Sequence, residues 1–96
     1  MQDPVYALLR REVTLVGQEL EALPYERLLR MDDRLAYTSK IVEGVEVAFN
    51  TELVSVDEDG DLRICIDADA RVPGWKWRDV LPSYEFMKRK DGSVYY

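Results

Sequence analysis

The spacing of apolar residues changes once along this chain, and that change dictates two kinds of secondary structure in a fixed order. Val5, Leu9, Val13, Val16, Leu20 and Leu23 recur at intervals of three and four. At 3.6 residues per turn they form one stripe of an amphipathic helix, joined at its edge by Tyr6. From Leu35 the interval becomes two, the repeat of a half-buried strand. A helical start followed by alternating strands predicts an α+β fold.

The helix has a clear start. Asp3 can cap free backbone N–H groups, and Pro4 fits the first helical position, where its missing N–H costs nothing. The helix is expected from Pro4 to Ala22. Pro24 ends it and opens a short second helix over Tyr25–Met31, with Asp32-Asp33 as the exit.

The strands follow. Leu35, Tyr37, Ser39 and Ile41 share one face of the first. Glu43-Gly44 is a turn. Val45, Val47 and Phe49 alternate with Glu46, Ala48 and Asn50. Val54 and Val56 are out of phase with that set, which predicts a bulge or bend near Asn50–Leu53. Asp57-Glu58-Asp59-Gly60 is a strong turn signal. Leu62, Ile64, Ile66, Ala68 and Ala70 then alternate cleanly with Arg63, Cys65, Asp67 and Asp69, the clearest strand in the chain. Strands at Tyr84–Lys88 and Ser93–Tyr96 flank a turn at Asp91-Gly92.

The economical assembly is a long N-terminal helix and a short second helix packed on a curved antiparallel meander of four or five strands. Pro4–Ala22 would span about 28 Å at about 1.5 Å per residue, enough to cross strands about 4.8 Å apart. The length, 96 residues, suits one domain over 1–96, helical at about 4–31 and sheet-forming at about 35–96.

A second line on the first helix needs its own cover. Leu8, Leu15 and Ala22 lie seven apart, about a third of a turn from the main stripe, with Glu12 and Glu19 between. The cover is either the next helix or a second copy of the chain, so Leu8 and Leu15 are candidate interface residues. Gly17 falls on the far side of this helix and costs about 1 kcal/mol relative to alanine.

Net charge is -6 and uneven. Residues 35–72 carry nine acidic and three basic side chains, whereas residues 73–96 carry three and five. An acidic surface repels phosphate backbones, so nucleic acid is not the expected partner. A basic protein is attracted, although the same charge also serves solubility alone. No run reaches the roughly 18 apolar residues of a membrane span, and Met1-Gln2-Asp3-Pro4 does not open a signal peptide. A cytoplasmic protein away from the membrane is expected.

The residue inventory excludes much chemistry. There is no histidine, which removes the commonest general base and the imidazole metal ligands. The lone Cys65 can form no internal disulfide and no thiolate cluster. Neither glycine-rich phosphate loop occurs. Asp57, Asp59 and Asp61 resemble the start of a calcium loop. The positions that require glycine and glutamate hold Leu62 and Ala68, so a hairpin turn is the better account. No catalytic residue, cofactor or metal is therefore assigned.

Two constellations remain. Arg63, Cys65, Asp67 and Asp69 share one polar strand face, with the two aspartates roughly 6.5–7 Å apart along the strand. They can be a solvated face with cross-strand ion pairs, a carboxylate pair for acid–base work, or interface residues under a partner. Arg63 beside Cys65 would lower the thiol pKa. Trp75, Trp77 and Arg78 follow Pro73-Gly74 and are either a binding patch or a lid on the core. Arg78, Lys88, Arg89 and Lys90 would add a basic rim.

The preferred reading is a non-catalytic protein–protein interaction domain: a small acidic binding or masking protein of the immunity or inhibitor type that covers a basic partner, or a chain that pairs with itself as a homodimer. The alternative is a small-ligand binder or enzyme whose Glu12, Glu19, Asp67 and Asp69 line a pocket between sheet and helix.

Overall fold

The computed structural model describes residues 4–72 and 81–96. Trp75, Trp77 and Arg78 lie outside the described residues. The elements run α1 (Pro4–Glu21), α2 (Tyr25–Leu29), α3 (Asp33–Ala36), β1 (Tyr37–Val42), β2 (Val45–Val56), β3 (Leu62–Ala70), β4 (Ser83–Lys88) and β5 (Val94–Tyr95). The strands form one open antiparallel sheet in the order β1-β2-β3-β4-β5. The predicted α+β meander under a long helix is the observed architecture.

The core sits between α1 and one face of the sheet. Leu9, Val13 and Leu20 of α1 meet Leu62, Ile64, Ile66 and Ala68 of β3 and Phe86 of β4, and Leu28 closes the corner after Pro24. Each large side chain buried here stabilises the fold by about 1.5–3 kcal/mol. The helix packs chiefly on β3 and β4.

Its C-terminus is fastened to β4. Lys88, only 4% exposed, donates its ammonium to the main-chain carbonyl of Glu21 at 2.7 Å. A cation at a helix C-terminus meets both an unpaired carbonyl and the negative end of the helix dipole. The hydroxyls of Tyr84 and Tyr96 both donate to the Glu21 carboxylate.

Three local expectations need correction. Asp32 and Asp33 follow the end of α2 as expected, but they open a further helix in place of leading into the first strand. The Asp32 carboxylate accepts from the Leu35 N–H at 3.0 Å and caps α3, so Leu35 is helical and the first strand starts at Tyr37. Gly17 is on the buried side of α1, against the ring of Tyr84. The phase shift in β2 comes later than expected, between Leu53 and Ser55. Thr51 is buried and keeps the inward phase of Val47 and Phe49, while Val54 is the extra residue and is exposed. A polar threonine inside an apolar alternation hid that continuity.

The turns are held by their own side chains. Glu43 (φ 50°) and Gly44 (φ 78°) both have positive φ, as a two-residue type I′ hairpin requires. The Asp57 carboxylate accepts from the N–H groups of Asp59 and Asp61, each at 2.9 Å, so it organises the β2–β3 turn. Tyr25 donates its hydroxyl to the Gly60 carbonyl and ties α2 to that turn.

Candidate functional site

The pairing register sorts the sheet residues onto two faces. On the inner face stand Thr38, Lys40, Val47, Phe49, Thr51 and the apolar set of β3. On the outer face stand Tyr37, Ser39 and Ile41 of β1, Glu46, Ala48, Asn50 and Glu52 of β2, Arg63, Cys65, Asp67 and Asp69 of β3, and Ser83, Glu85 and Met87 of β4. Among the described residues, no helix packs on the outer face. The face predicted for Tyr37, Ser39 and Ile41 is therefore this open one, where Tyr37 is 66% and Ile41 76% exposed.

Rows across the outer face explain its electrostatics. Glu52, Cys65 and Glu85 are neighbours in one row, and Tyr37, Asn50, Asp67 and Ser83 in the next. Among the described residues, Glu46, Glu52, Asp67, Asp69 and Glu85 are set against Arg63, and Arg71 just beyond β3. Arg63 donates to Glu85 at 2.6 Å, a cross-strand ion pair. Glu52 and Asp67 belong to no ion pair among the described residues. Partial burial, and then the charge of Glu52, push the Asp67 carboxyl above its ordinary pKa.

Cys65 behaves oppositely to the expectation drawn from Arg63. Burial raises its thiol pKa first, and Asp67, Glu85 and Glu52 raise it further; the attraction of Arg63 is the smallest contribution. Asp67, two residues along the same strand face, has the largest effect of these charges, and the register adds a glutamate on each side of Cys65.

Among the described residues, two concavities border the sheet. A trough of about 410 Å³ on the outer face is lined by Tyr37, Ser39, Ala48, Asn50, Asp67, Asp69, Arg71 and Leu81. A groove of about 340 Å³ on the inner side lies between α1 and β1, lined by Val16, Glu19, Leu20, Leu23, Leu35, Lys40, Phe49 and Thr51. It exists because α1 lies mainly over β3 and β4. A helix about 10 Å wide covers about two strands.

The four carboxylates expected around one pocket are divided by the sheet. Glu12, 5% exposed, is on the helix side, where Lys40 donates to it at 2.8 Å and Arg11 at 3.0 Å. Hydrogen bonding from Lys40, reinforced by Arg11, holds its carboxyl below the ordinary range against the opposing effect of burial. Glu19 lines the inner groove, whereas Asp67 and Asp69 line the outer trough. Among the described residues no group of three or more Asp, Glu or Cys side chains can hold a metal ion, and no helix is long and apolar enough to cross a membrane.

The second helical line is divided as well. Leu8 is buried within the fold, while Leu15 is 45% exposed. Of the expected basic rim, Arg78 lies outside the described residues. Lys88 is buried under α1, Arg89 stacks on Tyr95 at 4.3 Å, and the stem of Lys90 lies over Gly60. Sequence reasoning missed Glu46, Glu52 and Glu85 as partners of the polar strand. Their alternation was visible, but their rows depend on the register and on the bulge position.

Comparison with models of known families, with curated proteins and with solved structures finds no match.

Proposed function

We propose that this chain is a non-catalytic protein-binding domain that uses the outer face of its sheet to take a basic protein partner. The supporting observation is the placement of Glu46, Glu52, Asp67, Asp69 and Glu85 on one open face with little compensating charge. Asp67 and Glu52 repel each other in the free protein, and a partner's lysine or arginine would relieve that repulsion. Tyr37 and Ile41 beside the acids supply apolar area, and the trough gives a side chain a place to enter. Charge complementarity of this kind mainly sets partner choice and association rate.

The test separates position from net charge. A fluorescent peptide of alternating lysine and valine is titrated and followed by anisotropy at low and high salt. Replacing Glu52→Gln with Asp67→Asn should weaken binding about tenfold, or about 1.4 kcal/mol. Replacing Glu26→Gln with Glu58→Gln removes the same charge at exposed positions off this face and should leave affinity nearly unchanged. Equal losses in the two double variants would reduce the effect to general acidity and reject the assignment.

A second reading has one observation in its favour. Asp67 and Asp69 line the same trough, and Asp67 is partly withdrawn from water. A small cationic ligand, such as a diamine, would suit that pair. Calorimetric titration with putrescine distinguishes the readings: one-site binding lost in Asp67→Asn supports a ligand pocket, and absence of heat leaves the protein partner.

A further inference from the structure

We infer that β1 is a self-association edge, along which a second copy of this chain adds antiparallel so that two sheets become one. β1 is the last strand of the sheet on its side, with no strand beyond it among the described residues. Such an edge presents unpaired N–H and C=O groups, and proteins usually guard it with charge, proline or a cover. The strand Tyr37–Val42 holds no proline, and its one charge, Lys40, turns inward to Glu12 at 2.8 Å. The residue type that would repel an added strand is occupied elsewhere.

The hairpin fixes which backbone groups face outward. The type I′ turn joins Val42 to Val45, the closing hydrogen-bonded pair of a two-residue hairpin. Hydrogen-bonded and non-bonded pairs alternate along an antiparallel ladder. Thr38, Lys40 and Val42 therefore turn their backbone groups toward β2, and Tyr37, Ser39 and Ile41 turn theirs to the free edge.

One register satisfies both backbone and side chains. With the two-fold axis at Ser39, Tyr37 of each copy faces Ile41 of the other, and Ser39 faces Ser39. Each of these is a hydrogen-bonded pair. Tyr37 and Ile41, 66% and 76% exposed, are the large apolar side chains of this strand on the outer face. The two-fold axis covers both of them twice, as aromatic–aliphatic cross-strand pairs. Shifting the axis to Lys40 would oppose Lys40 to Lys40 and turn Tyr37 against the hairpin residue Glu43. The Ser39 register also brings Ile41 of the second copy beside Tyr37, so it adds a wall to the outer trough. Two acidic faces then lie side by side.

The experiment uses the whole chain with Cys65→Ser to remove the native thiol. Adding Ser39→Cys should give a disulfide-linked dimer under mild oxidation, because hydrogen-bonded antiparallel pairs hold Cα atoms about 5.5 Å apart, inside disulfide range. Val54→Cys, exposed but away from β1, should form no disulfide-linked dimer under the same conditions. Light scattering of the unmodified chain over a range of concentrations should approach twice the monomer mass. Ile41→Pro removes an outward N–H while sparing the β1–β2 ladder, and should raise the dimer dissociation constant at least tenfold. Ile41→Lys should do the same, with circular dichroism checking the fold of both variants. Leu15→Glu should leave the dimer intact. A monomer mass at every concentration would overturn the inference. So would dissociation by Leu15→Glu alone, or cross-linking through Lys40→Cys in place of Ser39→Cys. None of these outcomes depends on binding of the lysine–valine peptide, so failure here is distinguishable from failure of the partner assignment.

Discussion

The ring of Tyr84 occupies the space that a side chain at Gly17 would need: a Cβ there would overlap the Tyr84 Cδ1 atom. Glycine at this position lets α1 approach β4, and the Tyr84 hydroxyl then reaches Glu21 one turn further along. Glycine to alanine inside a helix ordinarily stabilises by about 1 kcal/mol. Here overpacking, typically about 1–3 kcal/mol, opposes that gain. Gly17→Ala should be destabilising overall in urea unfolding. In a Tyr84→Ala background the same change should become stabilising. A stabilising Gly17→Ala in the unaltered chain would show that Tyr84 can move aside at little cost.

The Glu12–Lys40 pair joins α1 to the edge strand and carries a pH signature. The folded-state pKa of Glu12 lies below its ordinary value of 4.5. Its stabilisation is therefore complete above that value and is lost as pH falls through the folded pKa. Glu12→Gln should cost roughly 1–2 kcal/mol at pH 7, less than the ~3–5 kcal/mol of a fully buried broken pair, because Lys40 is 40% exposed. The difference from the unaltered protein should shrink below about pH 4. Thermal unfolding at pH 7 and pH 3 reads both quantities, and a difference independent of pH would mean that packing alone is lost.

The sequence was most legible where a strand has one dry and one wet side. Leu62 to Ala70 alternates without exception, because β3 is the central strand and the core covers the whole inner row. The edge strand was readable as a strand but not by face. Thr38 and Lys40 point inward, while Tyr37 and Ile41 point outward, against the usual apolar-in rule. Lys40 is accommodated by a counter-charge from Glu12, far away in sequence, and by the Phe49 ring beneath its ammonium. The acidic face was half visible for a related reason. Asp67 and Asp69 announce themselves within one strand, but Glu52 and Glu85 become their neighbours only through pairing.

Cys65 should react slowly. Thiolate is the nucleophile, and a raised thiol pKa leaves less of it at neutral pH. Alkylation by iodoacetamide at pH 7.5 should be slower in the folded protein than after denaturation in urea. Glu52→Gln should accelerate it by removing one like charge, and Arg63→Gln should slow it by removing an attraction. Rapid alkylation of the folded chain, unaffected by Glu52→Gln, would contradict the electrostatic account of this row.

Asp67 links the stability of the fold to the proposed use of its open face. Its folded-state pKa is raised, by partial burial first and by Glu52 second. A group of this kind favours the folded state most when protonated, below its unfolded pKa, and that contribution is lost as pH rises through the folded pKa. At pH 7 the charge on Asp67 therefore opposes folding. Asp67→Asn should raise the melting temperature at pH 7, and the gain should vanish near pH 3, where the native carboxyl is already neutral. The same variant should bind the lysine–valine peptide more weakly. A carboxylate kept at a cost to the free protein and needed for contact with a cation is the expected mark of a binding surface. Asp67→Asn that stabilises without weakening the peptide complex would separate the two effects and leave the acidity of this face unconnected to binding.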